Sequence, residues 1–187
     1  MQSRDELQEL KEDLHSIAQQ AKSEFGRLSV EQLNWKPAPD RWSVAQCFDH
    51  LITGNASYFP VFESVAKGGK KTTMVERLPV FPKVWARLLL KSLDPKATRK
   101  LKAPVRFQPS SSNITGSIID DFVAQQGRVA ESIETTTKLD PERIVITSPA
   151  ASMITYSLMD AFRIIVIHEK RHFQQAQRVM QEPGFPL

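Results

Sequence analysis

Apolar residues recur along this chain at spacings of three and four in four long stretches, and almost nowhere in the alternation that a half-buried strand requires. The first stretch, residues 3–27, places Leu7, Leu10, Leu14, Ile17, Ala21 and Leu28 on one seam, with Asp5, Glu6 and Glu9 early, where a helix dipole favours acids. Pro37 and Pro39 break the chain, and Ser43 with Gln46 forms a capping-box pattern opening a second helix over 44–66. Pro60 is expected to kink or divide that helix, and Gly68 and Gly69 end it. A third helix is predicted over 115–137, with Ile118, Phe122, Val129 and Ile133 on its apolar face and Gln125, Gln126 and Gly127 interrupting it. A last helix opens at a second capping pattern, Ser157 with Asp160, and runs to Met180 before Pro183 and Gly184.

Between the second and third helices the pattern is poor. Pro79, Pro82, Pro95, Pro104 and Pro109 punctuate residues 70–112, which hold one short helical piece, KVWARLLLKSL, over 83–93. A strand-like scrap, RIVITS, follows Pro141. Four long helices joined through one long connection predict an all-α, antiparallel four-helix bundle with an irregular basic insertion at 67–112.

Composition narrows the picture without redirecting it. With 187 residues, 41% hydrophobic and 25% charged, the chain fits one globular domain spanning 1–187. The N-terminus is charged from Arg4 and its apolar runs are short, so no secretory signal and no bilayer span is expected, and a cytoplasmic location follows. Cys47 is the sole cysteine, which excludes an intramolecular disulfide and a clustered thiolate metal site. The net charge is +4, yet Lys67 to Arg106 carries twelve Lys/Arg against Glu76 and Asp94, leaving the rest of the chain acidic.

The chemistry concentrates in H168-E-K-R-H172. Two histidines four residues apart lie one turn apart on one helix face, and Leu158, Ala161, Phe162, Ile165, Ala176 and Val179 share that face, so both imidazoles are expected to point inward. A lone inward histidine is usually just a hydrogen-bonded core residue; the pair at ligand spacing makes a metal site an equal reading. The five residues also spell H-E-x-x-H, in which Glu169 would be a protease base. Only fifteen residues follow His172, with no further histidine, so the longer context of such proteases is missing. A third ligand must then come from His15 or His50. His15 sits beside the first seam and reads as exposed, whereas His50 flanks the face of Val44, Cys47, Leu51 and Tyr58, with Gly54 one turn on, where it removes a side chain; His50 fits better.

W42-S-V-A-Q-C-F-D-H50-L, its lead-in NWKPAPDRWS, and H168-E-K-R-H172-F-Q-Q together resemble the DinB-like superfamily, including its YfiT-related metal-dependent hydrolases and bacterial thiol S-transferase relatives. The resemblance covers nearly the whole chain, apart from residues 70–112. It implies a four-helix bundle, a nickel- or zinc-type site on His50, His168 and His172, and a homodimer.

Three neutral imidazoles leave coordination positions open, the composition of a catalytic rather than a closed site. Such an ion suits either hydrolysis, by lowering the pKa of water, or transfer of a thiolate. The function expected is therefore a metal-dependent hydrolase or low-molecular-weight-thiol S-transferase acting on a small molecule, anionic or a small thiol. The alternative is a non-catalytic, metal-stabilised binding or stress-associated module. No catalytic side chain is assigned: Glu169 and Asp49 adjoin ligands in sequence but point elsewhere on their helices, and Cys47 reads as core. Tyr58, Trp42 and Gln125 are core candidates that could line a pocket. Lys83, Arg87 and Lys91 make the short helix cationic and amphipathic, yet it reads first as a cap on the bundle, with neither nucleic-acid binding nor stable membrane association expected.

Overall fold

The computed structural model describes residues 2–77, 81–95, 105–110 and 113–186. Pro79, Pro104 and part of the basic insertion lie outside the described residues. The fold is mostly helical with a small two-stranded sheet.

Helix α1 (Gln2–Phe25) buries the predicted seam and ends it on Phe25, which is fully buried, while Leu28 only packs against the edge of the core. A short helix α2 (Val30–Asn34) follows, opened by a reciprocal capping box between Ser29 and Gln32. The predicted second helix is divided. Helix α3 (Val44–Ala56) starts at the Ser43–Gln46 capping box, and α4 (Phe59–Ala66) takes Pro60 into its first turn, where a missing amide donor costs nothing. Helix α5 (Phe81–Leu93) is the amphipathic piece of the insertion, and it does act as a cap, packing on α7 (Leu158–Met180) and on the second strand of the sheet.

Helix α6 (Ile118–Thr136) runs unbroken through Gln125, Gln126 and Gly127. The expected interruption fails because both glutamines are buried with partners: Gln125 donates to the Ile52 carbonyl at 2.9 Å, and Gln126 to the Glu169 carboxylate at 3.1 Å.

The all-α expectation is corrected by a hairpin, β1 (Val145–Ser148) antiparallel to β2 (Ala151–Ser157), with Val145 opposite Ser157 and Ile146 opposite Tyr156. RIVITS marks β1. Strand β2 shows no alternation because its last three residues are all buried, Tyr156 beneath the Tyr58 hydroxyl at 2.6 Å. Buried Glu76 accepts from Lys70 (2.7 Å), the Thr73 amide (2.8 Å) and the Thr147 hydroxyl (2.9 Å), which fastens the start of the insertion to the hairpin.

Helices α1 and α3 each contact both α6 and α7. One phenylalanine from each of these four meets at the centre: Phe25 lies edge-on to Phe48 and Phe173 at 5.2 Å, and Phe48 to Phe122 at 4.9 Å. Arg163 ties α7 to α1 through a two-pronged bridge to Glu6 at 2.6 and 2.7 Å, and also holds Asp160 and Glu142.

Candidate metal centre

His50 is carried by α3, and His168 and His172 by α7, which packs against it. The cap at Ser43 and Gln46 sets where α3 begins, and Val44, Cys47 and Leu51 are each fully buried, so the helix cannot rotate without exposing them. That places His50 on the edge of the core face. On α7, His172 is buried and His168 half-buried, one turn apart.

The three rings form a nearly equilateral triangle, with centroids 4.9 Å (His50–His168), 4.7 Å (His50–His172) and 4.6 Å (His168–His172) apart. One nitrogen from each lies within 4.8 Å of the other two. His15, by contrast, is exposed on α1 and bonds Gln19, as expected.

Protonation follows from the partners. Nδ1 of His50 meets the Phe107 carbonyl oxygen at 2.5 Å. A carbonyl only accepts, so the hydrogen sits on Nδ1 and the Nε2 lone pair faces Nε2 of His168 at 3.1 Å. At that separation both Nε2 atoms could reach one ion through bonds of about 2.0–2.1 Å. Nδ1 of His172 is buried with no hydrogen bond of good geometry among the described residues, and the Gln175 side chain lies near enough to act on the ring. The donor set therefore fits a divalent transition-metal ion.

Burial pushes all three imidazoles toward the neutral form. The His50 pKa is lowered by desolvation, against the pull of the Phe107 carbonyl. Desolvation and then the neighbouring His50 take His168 down to about 3, and desolvation with His168 and then His50 takes His172 well below its ordinary value. The Arg171 guanidinium adds to this while donating to the Asp94 carbonyl (2.9 Å) at the end of α5.

Gly54 lies where expected: a Cβ there would stand 3.9 Å from Cε1 of His168. Trp42 is at the site too, centroid 4.9 Å from His50 and stacked on His172 at 5.5 Å with the planes 22° apart. Its place before the cap of α3 was visible in the sequence, but its contact with α7 was not. Tyr58 and Gln125 are engaged elsewhere.

Both acids adjoining the ligands have partners. Asp49 accepts from the Ser110 amide at 2.7 Å. Glu169 is fully buried, against the alternative of a solvated residue, and accepts from Asn55 at 2.7 Å and Gln126 at 3.1 Å. Desolvation raises its pKa to about 8 despite those bonds. Cys47 is buried and its thiol is pushed up by desolvation, the mark of an inert core residue.

The model of the DinB superfamily matches residues 7–176, and the chain belongs to that superfamily. It is similar to YuaE, an uncharacterized protein of Bacillus subtilis (strain 168), at 26% identity over 163 residues, 86% of this chain and 90% of that one. No solved structure matches the chain.

Proposed function

We propose that the chain is a metal-dependent enzyme in which His50, His168 and His172 hold a divalent transition ion, nickel or zinc, within an antiparallel four-helix bundle. The observation that carries this reading is the convergence of three neutral imidazoles with one nitrogen of each within 4.8 Å of the others. When bound, the ion supplies Lewis acidity.

Between the two reactions expected, low-molecular-weight-thiol S-transfer has more support than hydrolysis. Hydrolysis by an ion-activated water would be aided by a base beside it, and the two carboxyls adjoining the histidines are committed, Asp49 to the Ser110 amide and Glu169 to a buried pair of amides. A thiol ionises near pH 8–9 unaided, and Cys47 is too buried to be that thiol, so the sulfur would come from a small co-substrate. In such a reaction the thiolate sulfur bonds to an electrophilic carbon, whose leaving group departs with its electron pair, and the thiol proton goes to solvent. The basic insertion reaches the site at Phe107, which favours an anionic small molecule.

Metal analysis of the wild type beside His50→Ala and His172→Ala tests the site: stoichiometric metal lost in both variants is expected, and unchanged metal in both would sink it. A screen of ester, amide and thiol-conjugation substrates with and without chelator tests the chemistry. Uniform inactivity would favour the non-catalytic, metal-stabilised binding or stress-associated module. The same reading includes a cytoplasmic homodimer without nucleic-acid or stable membrane association, for which light scattering on a sizing column should return twice the chain mass. No helix among the described residues is long and apolar enough to cross a membrane.

A further inference from the structure

His50 owes its tautomer to a backbone carbonyl 57 residues away in sequence. That carbonyl belongs to a short strap, residues 105–110, laid across the first turns of α3 and held there by two side chains of the same helix. Gln46 donates from Nε2 to the Ser110 carbonyl at 2.9 Å, and Asp49 accepts from the Ser110 amide at 2.7 Å. The Phe107 ring is buried and the Arg106 guanidinium covers it at 4.7 Å.

From this geometry we infer that Asp49 and Gln46 are positioning residues for the metal centre: by holding Ser110 they keep the Phe107 carbonyl against Nδ1 of His50, and so keep the Nε2 lone pair aimed into the three-histidine cluster. The inference rests on the metal reading of that cluster. Without the strap, either ring nitrogen of His50 can carry the hydrogen, and one of the two tautomers points an N–H where an ion needs an electron pair. The partner of a ligand's other ring nitrogen fixes orientation and raises ligand basicity, and its loss commonly costs about 10–100-fold in affinity. The coupling runs both ways. An ion on Nε2 makes Nδ1–H a stronger donor to Phe107, so loading must tighten the strap by the factor with which the strap tightens loading.

The side chains are separable from the fold. Gln46 also caps α3, its Oε1 accepting from the Ser43 amide, and Gln46→Glu keeps that acceptor while removing the donor to Ser110. Asp49→Asn keeps an acceptor for the Ser110 amide, whereas Asp49→Ala removes it. The experiment measures two things on the full-length protein. One is the Zn2+ dissociation constant, by competition with a chromophoric chelator. The other is the His50 tautomer in metal-free protein, by long-range 15N–1H correlation of the imidazoles, with the His50 signals assigned by their loss in His50→Asn.

Asp49→Ala and Gln46→Glu should weaken Zn2+ by roughly tenfold or more and shift His50 from its single Nδ1–H form to a mixture, while Asp49→Asn stays near the wild type on both. Hydrogen exchange at the Ser110 amide should slow on loading in the wild type and not in Gln46→Glu. Wild-type affinity and an undisturbed tautomer in both damaging variants would overturn the inference. If the wild type bound no metal, the metal reading would fail alone, since the tautomer shift is read in metal-free protein.

Discussion

Glu169→Gln should stabilise the metal-free protein at neutral pH, although Glu169 makes good hydrogen bonds. Its carboxyl is fully buried between α3, α6 and α7, one oxygen receiving Asn55 and Gln126 and the other, Oε2, with no partner among the described residues. Two amide donors do not replace the water lost on burial, so its pKa stands at about 8 against an ordinary 4.5. In the unfolded chain the group ionises near pH 4.5; in the folded chain it holds its proton until about pH 8. The unfolded state therefore binds fewer protons across that window, and stability falls as pH rises through it. At pH 7 the cost is on the order of 3 kcal/mol, and above pH 8 it levels off near 5 kcal/mol.

Glutamine has the shape of the neutral acid, accepts from the same amides and has nothing to ionise. The variant should match the wild type near pH 5, exceed it by about 3 kcal/mol at pH 7, and melt roughly 6–12 °C higher there, given about 2–4 °C per kcal/mol at this chain length. Urea titrations of chelator-treated wild type and variant at pH 5, 6, 7 and 8 measure the difference curve directly. Metal-free samples are essential, because a divalent ion nearby lowers a carboxyl pKa and should shrink the gain. A difference that stays flat from pH 5 to pH 8 would refute the reasoning, and so would a variant that is less stable at every pH.

Gly54→Ala should keep the metal and raise stability by up to about 1 kcal/mol, since its Cβ meets Cε1 of His168 at an ordinary 3.9 Å and alanine favours a helix interior, whereas Gly54→Leu should displace His168 and lose the metal; retention by the leucine variant would count against this placement. The lowered histidine pKa values predict an opposite slope in acid: protons bind the unfolded chain first, so metal-free stability should fall as pH drops from about 6.5 toward 3. His168→Gln should reduce that slope in the same urea series, and an unchanged slope would show that His168 is not buried in its neutral form. Trp42 stacks on His172, so Ni2+ should quench tryptophan emission in the wild type and much less in Trp42→Phe, with equal quenching in both counting against contact between the indole and the site.

The features legible in the sequence are those whose cause is local. Ser43 with Gln46 and Ser157 with Asp160 mark their helix starts because a cap is a matter of four consecutive residues. His168 and His172 declare a shared face because helical pitch alone sets it, and Gly54 declares a gap for the same reason. The capping box at Ser29 and Gln32 was not among the predicted helix starts, yet it opens α2 by the same local rule. What stayed hidden depends on contacts between segments distant in the chain. Gln125 and Gln126 look like a break in α6 until Ile52 and Glu169 supply their partners from other helices. Strand β2 has no period to read because its end is buried on both faces.

The site divides along the same line, with a consequence for what the cluster can do. Ligand identity is local, so the imidazoles could be named from spacing and motif, but the state of each imidazole is set by groups no local pattern reveals: a carbonyl at Phe107, an indole at Trp42, a guanidinium at Arg171. Burial and the Arg171 guanidinium keep the rings neutral, while the Phe107 carbonyl fixes the tautomer of His50 and Trp42 packs against His50 and His172, so the rings are ordered without an ion. The two carboxyls beside these histidines in sequence are engaged as well, Asp49 with the Ser110 amide and Glu169 with Asn55 and Gln126 in the core. With both carboxyls committed, neither stands free to take up a proton at the site, so on the proposed reading the proton transfers would fall to the substrates or to solvent.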